Sequence, residues 1–307
     1  LLYKILYFPA RIALYFYCRQ LRINRPEYLK IKGPALLAAN HPNSFLDAII
    51  LASTFRQPIY SLARGDAFAS PLYNKLLLAL NMLPVYRISE GSENLHHNYD
   101  TFNKVNKLLS EDRIVLIFSE GLCKNEWHLR PLKKGTARIA FAAWRDGFDV
   151  EVLPVGINYS SFYRFGKSVI MNFGNPISAS EFNSDSSGAA IRKFNSRLTT
   201  ELEQLVYEIG KDDTPQKKKI FEAPSPFLKK ILLSLPALVG FILHAPLYFA
   251  SSASIKKRAD VHYDSIMVSI FFLTYPFYLL FITLLIYFIS GSLYAFILLL
   301  LMPLTAL

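Results

Sequence analysis

The chain ends in a long apolar tail that limits what it can fold into. Residues 265–307 contain no charged side chain, and residues 231–255 contain only His244. Segments of this length can cross the hydrocarbon core of a bilayer, which takes about 20 apolar residues. The apolar excess of the whole chain, 52% of residues with a mean hydropathy of +0.25, is concentrated there. The sequence therefore predicts a soluble domain followed by membrane-embedded helices over residues 231–307.

The first apolar segment of the tail, residues 231–250, has cationic clusters at both ends. These are Lys229 and Lys230 before it and Lys256, Lys257 and Arg258 after it. A simple crossing would place one cluster outside, against the positive-inside rule, so a re-entrant or in-plane segment is predicted. Residues 265–289 and 292–307 are predicted to form a hairpin. Because residues 265–307 lack charge, nothing in them marks a transport pathway.

The net charge of +11 favours anionic partners. Lipid head groups and phosphorylated substrates fit it better than nucleic acid, because no zinc-finger spacing or base-reading basic helix is present. The two cysteines, Cys18 and Cys123, form no CxxC pair, which predicts reduced thiols in a cytosolic domain. No histidine or cysteine spacing indicates a metal site.

Residues 1–25 are predicted to be an amphipathic, membrane-anchoring helix. On a helix, Lys4, Arg11 and Arg22 fall within about 40° of one another, with Arg19 close by, and the remaining residues are strongly apolar. A narrow basic stripe on an apolar helix is typical of a segment lying in the membrane interface. The alternative is a helix packed on its own domain, and both interpretations can hold in part.

Residues 26–209 alternate short apolar runs with longer helical patterns. Strands are predicted at 35–40, 58–63, 82–87, 113–120, 150–159 and 168–174, and helices at 44–55, 70–80, 94–110, 134–145 and 187–209. This alternation predicts an α/β fold with a mostly parallel sheet flanked by helices. Residues 210–230, rich in Pro, Ser and Lys, are predicted to be a basic linker.

Polar residues follow several of the predicted strands. His41, Arg87 and Glu120 each end or follow one, and in parallel sheets chemistry collects at the carboxyl edge. Asp47 can orient His41 as a general base. The alternative is structural: Ser44 caps the next helix, Asp47 completes a near capping box, and His41 is a loop residue.

A basic loop follows the strand at 113–120. Lys124, Arg130 and Lys133 lie in it, and such cations beside a turn can hold a phosphate. Arg64, at the end of another strand, is a further candidate for substrate binding. The alternative is a solvated basic surface. Neither a nucleophile elbow nor a P-loop is present.

The ordered set "NHPNSFLD", "LPVYR", "FSEG" and "LPVGINY", across roughly residues 30 to 180, resembles the glycerolipid acyltransferase superfamily. The resemblance implies transfer of an acyl group from acyl-CoA or acyl carrier protein to a glycerol hydroxyl, with no cofactor. It implies that His41 is the general base and Asp47 its orienting partner. It further implies that Arg87 binds the substrate phosphate, and that Glu120 and Gly121 bind glycerol phosphate.

Two departures from the family pattern stand out. Five residues separate His41 from Asp47, where four are common, and one extra residue rotates Asp47 by about 100° on a helix. The third motif lacks its usual arginine at Cys123, so Lys124, Arg130 or Lys133 is expected to replace that cation.

The expected function is acylation of lysophosphatidate or glycerol 3-phosphate in phospholipid synthesis. The expected location is a membrane, with the catalytic domain on the cytoplasmic face of a bacterial inner membrane. Two alternatives stay open. One is an acyltransferase for another lysolipid or an amine-lipid acceptor, and the other is a catalytically inactive lipid-binding scaffold.

Overall fold

A seven-stranded sheet lies at the centre of the computed structural model, which describes residues 1–86, 97–182, 188–222, 226–255 and 261–306. The strands are β1 (Cys18–Ile23), β2 (Ala35–Ala39), β3 (Ile59–Arg64), β4 (Met82–Val85), β5 (Ile114–Phe118), β6 (Glu151–Tyr159) and β7 (Lys167–Phe173). Their order across the sheet is β1-β7-β6-β2-β5-β3-β4. The central strand β2 is buried along its whole length, as expected for a strand covered on both faces.

The sheet is mostly parallel, which confirms the predicted fold class. Strands β6, β2, β5, β3 and β4 run in one direction. Strand β7 is antiparallel to β6, and β1 pairs in parallel with β7, so these two strands run the other way. Two separate hydrophobic cores, one on each face, pack between the sheet and its helices.

Ten α-helices are described. They are α1 (Leu2–Tyr17), α2 (Phe45–Thr54), α3 (Pro71–Ala79), α4 (His97–Ser110), α5 (Gly135–Arg145), α6 (Gly188–Leu205), α7 (Thr214–Phe221), α8 (Phe227–Ile255), α9 (Tyr263–Ser290) and α10 (Leu298–Leu304). Helices α2 to α6 match the helical patterns predicted between strands, with the predicted start of α4 at residues 94–96 outside the described residues.

The prediction of a single helix over residues 1–25 is wrong at its C-terminal end. Helix α1 stops at Tyr17, and the chain continues as strand β1. Arg19 and Arg22 therefore leave the helix, and the predicted basic stripe is reduced to Lys4 and Arg11. The reason is the edge of β7, whose backbone groups pair with residues 18–23.

Helix α1 is packed on its own domain, as the alternative interpretation expected, and its role as a membrane anchor stays a prediction. On one side, the hydroxyls of Tyr3 and Tyr7 donate to backbone carbonyls at the C-terminal end of α2, at 2.9 and 3.0 Å. On the other side a stripe of apolar residues stays exposed: Ile5, Phe8, Ile12 and Tyr15. The helix is packed on its domain and still presents an apolar face.

The predicted linker over residues 210–230 is wrong in its first half, and its last residues, 227–230, already belong to α8. Residues 214–221 form α7, and Phe221 is buried against Ile170 and Ile209 of the domain. Arg22 also donates to the carbonyl of Ile220. Because burying Phe221 removes its apolar ring from water, α7 belongs to the folded domain.

The tail folds as an antiparallel helix pair with a short return. Helix α8 is unbroken through Pro236 and Pro246. The hydroxyl of Tyr278 on α9 donates to the carbonyl of Leu243 on α8, at 2.7 Å. After a turn at Gly291, the chain returns through a 3₁₀ segment (Leu293–Ile297) and α10, as the predicted hairpin requires. In the described part of the chain, α8 and α9 are the helices long and apolar enough to cross a membrane. In the most apolar stretch of each helix, 6% of the residues are buried.

Helix α9 is attached to the domain by a buried ion pair. Asp264, in its first turn, pairs with Lys167 at the start of β7, and both side chains are 0% exposed. The hydroxyl of Tyr17 donates to the same carboxylate at 2.6 Å. Burial lowers the pKa of Lys167, while Asp264 opposes that shift by favouring the ammonium form. The tail is thereby connected to the centre of the domain.

We expect Asp264→Ala to destabilise the protein by about 3–5 kcal/mol, because it leaves the Lys167 ammonium buried without a partner. Thermal unfolding in detergent micelles measures this. The double variant Lys167→Met/Asp264→Leu is the control, and it should regain much of the lost stability because it removes both charges. Equal destabilisation of both variants would contradict the ion-pair explanation.

Candidate active site

The candidate site lies at the carboxyl ends of β2 and β5, which are adjacent and parallel. His41 follows β2, and Ser119 and Glu120 follow β5. The two strand ends are joined by a hydrogen bond from the Ser119 N–H to the Ala39 carbonyl, at 2.8 Å. This edge is where open α/β sheets bind ligands. Arg87, predicted to bind phosphate beyond β4, lies outside the described residues.

A hydrogen bond of 2.8 Å joins His41 Nδ1 to Asp47 Oδ2. Asp47 is fully buried and accepts two further hydrogen bonds, from the Asn43 N–H at 2.8 Å and from the Tyr159 hydroxyl at 2.7 Å. Three donors compensate the carboxylate for its lost hydration. The ring of His41 therefore has a rigid, negatively charged partner.

The other ring nitrogen of His41 faces away from this network. Since Asp47 accepts the Nδ1 proton, the lone pair of the neutral imidazole lies on Nε2. No group in the described ranges hydrogen-bonds Nε2. Phe118 stacks on the ring with centroids 3.8 Å apart and planes 12° apart, and the side chain is 18% exposed. The geometry is that of an oriented base open to a substrate proton.

The five-residue spacing between His41 and Asp47 is accommodated at Ser44. This residue precedes α2 with φ 52° and ψ −136°, a left-handed backbone region in which non-glycine residues are strained by about 1–3 kcal/mol. The turn compensates for the rotation expected from the extra residue. The prediction that Ser44 caps α2 is wrong, because its hydroxyl makes no cap bond and lies 2.5 Å from His262 Nδ1.

Glu120 joins the two loops of the site. Its carboxylate is 4% exposed and accepts the N–H of His41 at 3.1 Å and the N–H of Arg130 at 3.0 Å. Burial raises its pKa, and these two backbone donors oppose the shift. Gly121 follows in a left-handed turn at φ +64°, where an added Cβ would lie 2.9 Å from Cγ of Lys133. Substrate binding by Glu120 and Gly121 stays a prediction.

The basic loop is organised by Glu126, a residue that the sequence analysis did not single out. Its carboxylate pairs with Lys124, with His128 at 2.7 Å and with Arg130 at 3.0 Å. Burial opposes its ionisation, but its three basic partners outweigh that effect and hold its pKa below the usual value. The sequence feature that could have identified Glu126 is its position as an acidic residue among basic residues at regular spacing. Lys124 and Arg130 are thus held together beside His41, whose carbonyl accepts the Lys124 N–H.

The remaining predicted cations have different surroundings. Arg64 ends β3 and pairs with Asp66, and its side chain is half exposed. The backbone of Lys133 donates to the Ser119 carbonyl at 2.8 Å, which places Lys133 beside the turn at Gly121. Their roles in substrate binding stay predictions.

The first turn of α9 contacts the same loop that carries His41. The Asn43 side-chain amide donates to Asp264 at 2.7 Å, and the Leu46 N–H donates to the Ser265 hydroxyl at 3.1 Å. Sequence analysis missed His262 and Asp264 as parts of the site. The signal was a short polar group, "HYDS", directly before a segment without charge. The apolar tail is therefore part of the site's framework.

Comparison with known proteins adds a family to this geometry. Residues 20–158 match the family model described as Acyltransferase, and this segment contains His41, Asp47, Glu120 and Glu126. This segment is therefore similar to the acyltransferase family. The crystal structure of the 1-acyl-sn-glycerophosphate (LPA) acyltransferase PlsC from Thermotoga maritima is similar at 19% identity and TM-score 0.46, over 66% of this chain and 78% of that chain. No curated protein matches the sequence.

The family-matched segment holds one thiol, Cys123, next to the loop that carries His41. Cys123 Sγ accepts the Ser44 N–H at 2.9 Å. Burial raises the pKa of this thiol, and the nearby carboxylates of Asp47 and Glu120 raise it further. A thiol that stays protonated at neutral pH is a poor nucleophile. Ser119 is buried, and its hydroxyl forms a hydrogen bond of 2.9 Å with the hydroxyl of Thr136. Neither residue is set up to carry an acyl group.

We expect Cys123→Ser to retain acyl-transfer activity within about tenfold, because general-base chemistry does not require a covalent acyl-enzyme and serine can accept the same N–H. Initial rates with a labelled acyl thioester measure this. Intact-mass analysis of wild type after incubation with donor alone should reveal no acyl adduct. An adduct on Cys123, together with an inactive Cys123→Ser variant, would show that the thiol is a nucleophile.

Proposed function

We propose that this protein is an acyltransferase that transfers a fatty acyl group from acyl-CoA or acyl carrier protein to a glycerol hydroxyl of lysophosphatidate or glycerol 3-phosphate, at a membrane surface. The observation that carries the proposal is the hydrogen bond between His41 and the buried Asp47, with Nε2 open, inside the family-matched segment. An acyl acceptor must lose its hydroxyl proton as it attacks, and His41, oriented by Asp47, can accept that proton.

The proposed reaction proceeds in two steps. Neutral His41 takes the hydroxyl proton on Nε2 as the acceptor oxygen bonds to the thioester carbonyl carbon, and the carbonyl oxygen becomes an oxyanion. Asp47 stabilises the imidazolium that forms. The tetrahedral intermediate then collapses, the carbon–sulfur bond breaks, and the thiolate receives the proton from His41. The products are an ester and a free thiol, and the enzyme regains its starting state.

The acceptor phosphate has a candidate site beside His41. Lys124 and Arg130 are held there by Glu126, and the backbone N–H of Lys124 reaches the His41 carbonyl. A phosphate with two negative charges can compete for cations that share a single carboxylate. Arg87, which the family resemblance assigns to phosphate binding, is an additional candidate.

We expect His41→Ala to lower the rate of acyl transfer by about 10²–10⁴-fold, the usual contribution of a general base. Membranes containing wild type or variant are incubated with labelled donor and, separately, glycerol 3-phosphate or lysophosphatidate. His244→Ala, a histidine in α8 that bonds Tyr275, is the matched control and should retain activity.

The outcomes of this experiment separate the alternatives. Full activity in His41→Ala would contradict the general-base role. If wild type acylates neither acceptor but acylates another lysolipid or an amine lipid, the acceptor assignment is wrong. If wild type acylates no acceptor at all, the inactive-scaffold alternative replaces the proposal.

The membrane disposition that we propose is monotopic, with both ends of α8 on the side of the catalytic domain. Phe221 is buried in the domain, and α8 begins at Phe227, six residues later. Six residues reach at most about 22 Å, which is less than the ~30 Å thickness of the hydrocarbon core. The other end, Ile255, is buried in the domain's core cluster. A helix of this kind lies within one leaflet.

Charge supports the same disposition. Lys229 and Lys230 lie at the start of α8, and a second basic cluster, residues 256–258, follows it outside the described residues. Both clusters obey the positive-inside rule only if both ends of α8 face the cytoplasm. The exposed apolar surface of α8 and α9 is of the kind that needs lipid around it.

We expect a cysteine at Lys229, in a Cys18→Ser/Cys123→Ser background, to react with a membrane-impermeant maleimide only from the side of the catalytic domain. Sealed right-side-out and inside-out vesicles are compared, with Lys104→Cys on α4 as the control for the domain's side. If the two cysteines label from opposite faces, α8 crosses the bilayer and the monotopic disposition is wrong.

A further inference from the structure

A groove of about 490 Å³ runs along α9 from the loop that carries His41. Ser44, Phe45 and His262 line it at this end, where the Ser44 hydroxyl hydrogen-bonds His262. We propose that this groove binds the acyl chain of the thioester donor, an inference that rests on the proposed function. Its volume lies in the range of small-molecule sites, about 300–1,000 Å³.

The wall contributed by α9 is one face of the helix. Ser265, Ile266, Ser269, Ile270 and Leu273 recur at three- and four-residue intervals, which brings them to the same side. The two small serines leave space between the larger apolar side chains. These smaller side chains leave a shallow, open groove along the helix surface.

The hydroxyls in this wall do not make the groove polar, because each has a partner in the protein. The Ser265 hydroxyl accepts the Leu46 N–H at 3.1 Å, and the Ser269 hydroxyl donates to the Ser265 carbonyl at 2.8 Å. The Thr274 hydroxyl donates to the Ile270 carbonyl at 2.7 Å. What remains for a ligand is methyl and methylene surface, which suits a hydrocarbon chain.

The groove begins beside the loop that carries His41. Its polar end is Ser44, three residues after His41, hydrogen-bonded to His262. The ion pair of Asp264 with Lys167 keeps this end of α9 against the loop. From residue 262 to residue 274 the helix rises about 18 Å, so a long chain with its carbonyl near His41 could extend along it.

The donor chain is the occupant that these observations favour. The donor carries a fatty chain whichever acceptor is used, whereas the acceptor glycerol 3-phosphate carries none. The phosphate-binding candidates Lys124 and Arg130 lie in the loop after β5, whereas the groove is formed by α9 and the start of α2. Because α9 lies outside the family-matched residues 20–158, this wall is a feature of this chain's own tail.

Chain-length selectivity tests the inference. We expect Ser269→Trp, which fills the groove partway, to lower kcat/KM for palmitoyl-CoA by more than about tenfold relative to octanoyl-CoA, because the distal methylenes lose their burial. Leu280→Trp is the matched control, an exposed apolar position on the same helix outside the groove, and should keep the wild-type ratio. If the protein uses acyl carrier protein, the same acyl groups are offered on it.

An active Ser269→Trp variant with an unchanged ratio would overturn the inference, as would altered selectivity for the chain of lysophosphatidate instead of the donor. If the Ser269→Trp variant loses activity with both donors, the test is made on wild type instead. A palmitoyl-CoA analogue with a terminal diazirine is then crosslinked to the wild-type protein. Crosslinks within residues 262–274 support the groove, and crosslinks confined elsewhere overturn it. Absence of transfer by wild type to any acceptor overturns the proposed function itself, which distinguishes that failure from a failure of the groove alone.

Discussion

Two buried carboxylates, Asp47 and Asp264, have to find hydrogen-bond donors away from water, and Asn43 contacts both. Its backbone N–H donates to Asp47 and its side-chain amide donates to Asp264. A buried charge without partners is costly, so these contacts are obligatory once the two helices are in place. They bring three distant parts of the chain together: the loop after β2, the start of β7 through Lys167, and the first turn of α9.

The consequence is that the loop carrying the candidate base His41 is held from two sides. Asp47 orients His41 from α2, and α9 holds the same loop through Asp264 and the hydroxyl of Ser265. The strained backbone at Ser44 persists in this setting because the surrounding contacts over-determine it. A long apolar helix and a candidate catalytic base thus share one hydrogen-bond network.

Much of the domain could be predicted from its sequence, because local pattern and fold agree there. Apolar runs separated by helical patterns indicated β2 to β7 and their flanking helices, and the parallel sheet brought His41 and Glu120 to one edge. Strand β1 could not be predicted, because residues 18–23 continue the apolar pattern of α1 and become a strand only by pairing with β7. Helix α7 was hidden for a similar reason, since its polar sequence resembles a linker until Phe221 meets the domain.

The sequence by itself determined the class of fold, the apolar tail and the identity of the candidate base, because these follow from periodicity, composition and ordered short motifs. Only the tertiary structure decided whether the lengthened spacing from His41 to Asp47 could still form a hydrogen bond, since that depends on the backbone angles of Ser44. It also decided that the first turn of α9 belongs to the site. The partners of Asp264 lie 97 and 221 residues away in sequence, at Lys167 and Asn43, and no local pattern encodes contacts at such distances.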